Sequence, residues 1–190
     1  MSLYNFVFNA LALTFDKSDL YSSEFLLEPN GSYIKAISDS FFLSNQFRKN
    51  LSLYFCTSYN SKPFIVKFDG NSLRYLGPSF FSAAHLLLRA KNHIINPNSK
   101  GGKLTPGLSV FEGTIKWILE EHVEDIKILV TDSIDKNDGI SISPNSSSVL
   151  FLFGFKEFPE GDEISQISWG SLRIDEQVIL TNHYIELNQI

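Results

Sequence analysis

A short, uninterrupted apolar run near the end of the chain constrains the fold more than any other feature. Val149 to Phe153 contains only aliphatic and aromatic residues, and Gly154 follows it, with Pro159 close behind. A run of this length, bounded by Gly and Pro, favours a strand buried on both faces over a helix. Such strands belong to parallel sheets that helices cover. The run therefore predicts an α/β fold.

A second predicted strand, residues 164–169, also ends at a glycine, Gly170. We expect the two strands to be neighbours whose carboxyl ends meet at one edge of the sheet. In open α/β sheets, ligands bind outside the carboxyl ends of the strands, and glycine lets a ligand approach the backbone closely. The two glycines therefore predict a ligand site. Two tight turns without a ligand are the alternative.

Apolar spacing elsewhere in the chain predicts alternating strands and helices. We expect one α/β domain over residues 1–190, with a mostly parallel sheet and helices on both faces. The first helix would be capped within residues 30–32. The last would be capped by Asp175 and turn Val178, Ile179 and Ile185 inward. The remaining predicted strands are 3–8, 51–56, 63–68, 108–111 and 126–130; the helices are 33–47, 80–93, 114–122 and 175–187; and residues 96–106 are predicted as loop.

Charge is distributed unevenly along the chain. The net charge is −5, which taken alone argues against a nucleic-acid ligand. However, residues 35–103 contain ten Lys and Arg against two acids, a net charge of +8, while the remainder carries −13. A polyanion responds to a local basic face and not to the total charge. The segment 35–103 is therefore a candidate nucleic-acid face, and chance clustering on solvated surfaces is the alternative.

Several other functions find no support in the residues. The four histidines have no metal-ligand spacing and no accompanying cysteine, and the longest apolar run is too short to cross a membrane. The amino-terminal residues do not resemble a signal peptide. The lone Cys56 is predicted to be a buried thiol, so we expect a cytoplasmic protein without disulfides. The Gly101-Gly102 pair and the acidic stretch 131–139 match neither a P-loop nor an EF-hand, and a linker and a turn suffice.

Five short motifs follow one another along the chain in a recognisable order. They read Phe-Phe-Leu-Ser at 41–44 followed by Arg48-Lys49, Leu-Arg-Tyr-Leu-Gly-Pro at 73–78, Pro-Gly-Leu-Ser-Val at 106–110, Phe-Leu-Phe-Gly at 151–154 followed by Phe158-Pro159, and Ser-Trp-Gly at 168–170. In this order and spacing they resemble the archaeal-type tRNA pseudouridine N1-methyltransferases of the SPOUT superfamily. The likeness covers nearly the whole chain.

This resemblance implies a homodimer whose carboxyl-terminal part, residues 107–190, is tied in a trefoil knot and binds S-adenosylmethionine. The amino-terminal part, residues 1–106, would hold the tRNA-facing segment 35–103. The implied reaction removes the N1 proton of a T-loop pseudouridine and transfers a methyl group in line to that nitrogen. The implied cofactor residues, acting through backbone groups, are Leu152, Phe153, Gly154, Ser168, Trp169, Gly170 and Ile174; the implied tRNA contacts are Arg48, Lys49 and Arg74.

Charged residues of the family pattern are missing from this sequence. Pro29-Asn30-Gly31 stands where the family has Arg-x-Asp, Ser79-Phe80-Phe81 replaces Asp-Glu-Arg, and Phe155-Lys156 replaces an Asp-His pair. Asp39 and Asp69, the two acids of the basic segment, become the candidate general bases. A solvated helix position and a turn residue are the respective alternatives. A second hypothesis follows from these losses, namely a catalytically degenerate module that binds RNA or protein.

Overall fold

The computed structural model of the chain describes residues 3–10, 12–43, 46–96, 102–132, 148–156 and 164–188. The strands in these residues are β1 (Leu3–Asn9), β2 (Phe42–Leu43), β3 (Gln46–Phe47), β4 (Leu51–Tyr59), β5 (Lys62–Asp69), β6 (Gly102–Thr105), β7 (Leu108–Glu112), β8 (Ile126–Thr131), β9 (Ser148–Phe153) and β10 (Ile164–Ser168). The helices are α1 (Pro29–Phe41), α2 (Phe80–Ile95), α3 (Ile115–Glu121) and α4 (Ile174–Asn188), with short 3-10 turns at Asp19–Tyr21 and Phe25–Leu27.

Eight strands form one sheet in the order β10-β8-β9-β1-β4-β5-β7-β6. The first five run parallel to one another, whereas β5, β7 and β6 pair antiparallel. The predicted mostly parallel α/β sheet is therefore confirmed. The prediction that β9 and β10 are neighbours is wrong, because β8 lies between them. Their carboxyl ends still reach the same edge of the sheet, since all three strands are parallel.

The apolar run that predicted a doubly buried strand is β9, which lies between β8 and β1 in the sheet. Phe151 and Phe153 pack against Phe6 and Phe8 on the sheet face that α1, α2 and α4 cover. Leu152 points to the opposite face, where α3 packs. Val149 to Phe153 are all fully buried, so helices cover both faces as predicted.

Two predicted boundaries are wrong for identifiable reasons. The helix expected over 33–47 ends at Phe41, because the chain then turns through the β2–β3 hairpin. That hairpin stacks the Phe47 ring on the Phe41 ring at 5.5 Å and 8°, so Phe47 joins the same cluster by another backbone path. Residues 102–105, expected as loop, pair with β7 as the edge strand β6.

The predicted helix caps also need correction. The N-cap residue of α1 is Glu28, with Pro29 in the first helical position and no capping bond from the Glu28 side chain. Asp175 lies inside the first turn of α4, where its carboxylate accepts a hydrogen bond from Ser32 Oγ at 2.6 Å. Ile179, predicted to point inward, is 53% exposed.

Candidate functional site

The carboxyl edge of the parallel strands carries both predicted glycines. Gly154 follows β9 and Gly170 lies two residues after β10, and each has φ of +74°. This left-handed backbone conformation costs an L-residue with a side chain about 1–2 kcal/mol. Glycine is therefore required locally at both positions, whether or not a ligand binds.

Gly154 is tied to the neighbouring strand and to the first helix. Asn9 at the end of β1 donates its side-chain amide to Gly154 O at 3.1 Å, and the Tyr33 hydroxyl donates to Asn9 O at 2.7 Å. Burial raises the pKa of Tyr33 to about 12, so this hydroxyl stays protonated. A Cβ added at Gly154 would lie 3.6 Å from Tyr33 Oη, which is an ordinary contact distance.

Gly170 borders open space. A Cβ added there would have no neighbour within 4 Å among the described residues. The bulky side chain next to it does not fill that space, because Trp169 packs against α4. Its Nε1 donates to Thr181 Oγ1 at 3.1 Å, and its ring meets Tyr184 edge-on at 6.2 Å. The backbone here is fixed, since Trp169 N donates to Thr131 O at 3.3 Å.

A cavity of about 230 Å³ lies between the start of α1 and the start of α4. Tyr33, which contacts Asn9 beside Gly154, forms part of its wall. Arg173 is half-buried there, and its Nε has no hydrogen-bond partner among the described residues. Arg173 Nη2 is engaged, since it donates to Asp175 Oδ2 at 2.9 Å, so Nε is the donor that remains for a polar ligand. The cavity is lined by Leu27, Pro29, Ser32, Tyr33, Leu172, Arg173 and Ile174.

The predicted cofactor residues fall into two groups. Gly154, Trp169, Gly170 and Ile174 lie on the carboxyl edge or in the cavity wall, with Ser168 ending β10. The side chains of Leu152 and Phe153 are fully buried in the two cores. Only backbone groups of those two residues can face a ligand, as the family resemblance implied.

Asp39 lies on α1, about 9 Å along the helix from Tyr33 and away from the glycines. It borders a different cavity, of about 280 Å³, between α1, β2 and α4. Burial, reinforced by the charge of Asp175 and opposed by Lys35, raises the pKa of Asp39 to about 6.

We expect Asp39 to make stability fall with rising pH. Its pKa of about 6 lies above the unfolded value of about 3.9, so its contribution is fully present below pH 4 and is lost as pH rises through 6. Urea unfolding between pH 4 and 7 should show a smaller loss of unfolding free energy for Asp39→Asn than for the wild type. Glu120→Gln, an exposed control, should show the same dependence of unfolding free energy on pH as the wild type. The same pH dependence in all three proteins would refute the expectation.

Asp69 has a structural role at the end of β5. Its carboxylate accepts hydrogen bonds from Asn71 N at 3.1 Å and from Ser72 Oγ at 2.6 Å. Its backbone oxygen accepts from Leu73 N at 2.7 Å. These bonds stabilise the turn 69–73, so the alternative in which Asp69 is a turn residue accounts for it without a catalytic role.

The three predicted tRNA contacts lie at the opposite edge of the sheet. β9 spans six residues, so this edge is about 20 Å from the glycines. Arg48 is half-buried, donates to Asn182 Oδ1 at 2.6 Å and lies over the Tyr4 ring. Burial lowers its pKa. Lys49 and Arg74 are exposed and share the wall of a cavity of about 600 Å³ with Phe47, Gly70, Asn71, Ser72, Leu73 and Pro106.

The basic segment does not act as one free face. Lys91 is buried beneath the residues that precede α1, where it donates to Phe15 O and pairs with Asp16 at 2.7 Å. Lys62 lies 3.9 Å from Glu112, and Lys35 lies 4.0 Å from Asp175. Acids outside the segment thus neutralise part of its charge. Within the described part of the chain, neither Lys49 nor Arg74 forms an ion pair.

A buried polar cluster escaped the sequence reasoning. Asp125 accepts hydrogen bonds from Asn5 at 3.0 Å and Ser148 at 2.8 Å, and its carboxylate lies 3.0 Å from His122 Nδ1. The Tyr54 hydroxyl lies 3.1 Å from the other His122 ring nitrogen. Burial acts to raise the pKa of Asp125, but these hydrogen bonds outweigh it and lower that pKa. Asn5, a polar residue inside an apolar strand, was the available signal.

Other chemistry has little support in the described residues. Among them, no group of three His, Cys, Asp or Glu side chains is placed to hold a metal ion. Cys56 is half-buried, and burial raises its pKa to about 12, so the thiol stays protonated. No helix in the described ranges is both long enough and apolar enough to cross a bilayer.

Comparison with known proteins connects this geometry to a family. No protein-family model matches the chain. Over 165 residues the chain is 24% identical to the tRNA (pseudouridine(54)-N(1))-methyltransferase of Methanococcoides burtonii, and the match covers 81% of each protein. The chain is similar to the tRNA pseudouridine N1-methyltransferases. The resemblance predicted from the five motifs is thereby confirmed.

A solved structure supports the fold of this methyltransferase-like chain. The crystal structure of Archaeoglobus fulgidus Nep1 bound to S-adenosylhomocysteine matches it with a TM-score of 0.57, covering 99% of this chain and 98% of that one. The two sequences are 9% identical, so the likeness concerns the fold alone.

Proposed function

We propose that this chain is an S-adenosylmethionine-dependent methyltransferase that acts on tRNA, at N1 of a pseudouridine in the T-loop. The observation that carries the proposal is the pair of glycines, Gly154 and Gly170, held at φ +74° on the carboxyl edge, with open space beside Gly170. The curated relative bears the name of this activity. The Nep1 structure contains S-adenosylhomocysteine, which is S-adenosylmethionine without its transferable methyl group.

The residues of the carboxyl edge fit such a cofactor. Backbone groups of 152–154 and 168–170 would bind it, with Ile174 in the cavity wall and Arg173 offering its unpaired Nε to a polar group. S-adenosylmethionine supplies an electrophilic methyl group when bound. The chain's own contribution is then orientation, because the rigid strand ends can hold the two reactants in line. We propose that this part, residues 107–190, is tied in a trefoil knot within a single domain.

Neither predicted base lies on the edge that holds the glycines. Asp39 is on the α1–α4 surface, and the carboxylate of Asp69 is engaged in its turn. Positioning of the pseudouridine therefore carries the catalysis in this proposal, and the N1 proton would pass to solvent water as the methyl group moves from sulfur to nitrogen. Lys49 and Arg74 would contact phosphates at the opposite edge, and a tRNA is long enough to reach both edges.

The degenerate-module hypothesis also has a specific observation in its favour. The family's charged residues are replaced, and in the structure their replacements serve other purposes: Asn30 donates to Thr14 Oγ1 at 3.0 Å, and Ser79 caps α2. Calorimetric titration with S-adenosylmethionine and methyl transfer to tRNA transcripts separate the two. We expect micromolar binding and a methylated pseudouridine; RNA binding by a folded protein without either signal would favour the degenerate module.

We further propose that the chain forms a homodimer through the outer surface of α4. Phe151 and Phe153 do not supply an apolar surface for this purpose, because both are core residues. Instead, Ile179 is 53% and Leu187 68% exposed on α4. Paired apolar surface of this kind is typical of protein interfaces.

The dimer has a direct test. Ile179→Glu is expected to shift the protein from dimer to monomer in sedimentation velocity, because it places a charge in an apolar contact. Val123→Glu, a change at a 65% exposed apolar residue after α3, is the matched control and should leave the dimer intact. A wild type that sediments as a monomer at micromolar concentration would refute the proposed assembly.

A further inference from the structure

Tyr75 is unusually placed for an aromatic residue. Its side chain is 76% exposed, more than that of any other large hydrophobic residue in the described part of the chain. Its backbone has φ of +67°, in the left-handed region that residues with a bulky side chain rarely adopt. The fold thus holds a large ring in solvent on a disfavoured backbone, and local strain of this kind clusters at functional sites.

The backbone on both sides of Tyr75 is rigid. Tyr75 O accepts a hydrogen bond from Ser82 Oγ at 3.0 Å, and the same hydroxyl accepts from Gly77 N at 2.7 Å. Before it, Arg74 N donates to Pro106 O at 3.2 Å. The Tyr75 ring is therefore presented on a fixed turn and loses little backbone freedom when it binds a partner.

The turn that carries Tyr75 also forms a cationic cavity. Residues 70–74 line the cavity of about 600 Å³, with exposed Lys49 on the other side and the half-buried Phe47 ring in its wall. That volume lies within the ~300–1,000 Å³ usual for ligand sites. Arg74, the last lining residue of the turn, directly precedes Tyr75. Two exposed cations thus line the cavity, and the exposed aromatic residue is the immediate chain neighbour of one of them.

We infer that Tyr75 is a stacking platform for an unpaired base of an RNA whose phosphates bind to Lys49 and Arg74. Cationic grooves with exposed aromatic rings are the usual way in which proteins bind single-stranded nucleic acid. The inference rests on the proposed function for its choice of RNA, and it adds a second recognition point about 20 Å from the glycines. It makes Tyr75 a determinant of preference for unpaired over paired RNA.

The test uses a ten-nucleotide single-stranded RNA with a central 2-aminopurine, whose fluorescence is quenched by stacking, and a blunt duplex of the same length. Tyr75→Asn removes the ring, and asparagine tolerates positive φ. We expect this variant to bind the single strand about 5- to 150-fold more weakly than the wild type and to lose the quenching. Tyr75→Phe should retain both, and duplex affinity should be equal in all three proteins.

Two controls keep the result specific. Tyr59→Asn, at the hairpin on the other edge of the sheet, should leave single-strand binding unchanged. Lys49→Gln should weaken single-strand and duplex binding alike, because it removes a phosphate contact. The unfolding temperature of Tyr75→Asn should be no lower than that of the wild type, because asparagine tolerates the positive φ.

The possible failures are distinguishable. Equal single-strand affinity and quenching for Tyr75→Asn and the wild type would overturn the stacking inference, while methyl transfer to tRNA by the same wild-type sample would leave the proposed function standing. A wild type that quenches no fluorescence but methylates tRNA would have the same meaning. A folded wild type that neither binds nor methylates RNA would overturn both.

Discussion

Replacing Gly170 by tryptophan is expected to weaken S-adenosylmethionine binding by on the order of 100-fold while leaving the chain folded. Space is open around Gly170, so an added side chain meets no described atom within 4 Å of its Cβ and the fold can accept it. The same side chain would occupy the place proposed for the cofactor. Overpacking costs about 1–3 kcal/mol, and each 1.4 kcal/mol is a tenfold change in affinity.

Gly170→Ala is the matched control for this experiment. Both substitutions put an L-residue at φ +74° and share the backbone cost of about 1–2 kcal/mol. Any difference in calorimetric affinity between the two variants therefore reports the occupied cleft. Gly154→Trp examines the other strand end in the same way. If Gly170→Trp bound the cofactor as tightly as Gly170→Ala, the cofactor would have to bind elsewhere.

Phe153→Ala is expected to lower the free energy of unfolding by about 3–5 kcal/mol. The Phe153 ring is fully buried, stacks on Phe8 at 4.9 Å and meets Phe6 edge-on at 5.4 Å. Truncation removes the buried ring and leaves a cavity between elements that cannot collapse around it. Domains are stable by about 5–15 kcal/mol, so this single change could remove a large share of the stability.

Urea unfolding measures this loss of unfolding free energy for Phe153→Ala and for the surface control Phe81→Ala. Phe81 is 44% exposed and contacts Tyr21 at the surface, so its loss should cost about 1 kcal/mol or less. Similar costs for the two variants would mean that β9 is not the centre of the core. A changed denaturant slope would instead indicate a change in the compactness of the unfolded or native state.

The sequence predicted the elements of this fold better than their arrangement. The run Val149 to Phe153 indicated a doubly buried strand, because a strand that is buried on both faces shows no alternation of apolar and polar residues. Nothing local could reveal that β8 lies between β9 and β10, since strand order depends on crossover connections. Phe47 fitted the apolar spacing of a helix, but the β2–β3 hairpin is what brings its ring onto Phe41. Periodicity alone therefore placed the end of α1 too late.

The same distinction separates what could be predicted of the site from what could not. Gly154 and Gly170 were identifiable because glycine at the end of a strand often indicates a positive φ or a close approach to the backbone. The basic segment was overestimated, because Asp16, Glu112 and Asp175, which pair with three of its lysines, are distant in sequence. Tyr75 gave no signal, since its positive φ and the hydrogen bond that its carbonyl accepts from Ser82 arise only in the folded chain.

The position of β1 between β9 and β4 has a consequence for synthesis on the ribosome. β1 pairs Leu3 with Ser148 and Phe8 with Phe153, so its partners on one side are synthesised long after β1 itself. Until then, one edge of β1 and the Phe6–Phe8 face lack the cover that β9 supplies. Contacts between such distant segments form slowly and leave apolar surface exposed. The nascent chain is therefore a natural client for chaperones that hold partly folded proteins, and the carboxyl edge assembles only after β9 and β10 have been synthesised.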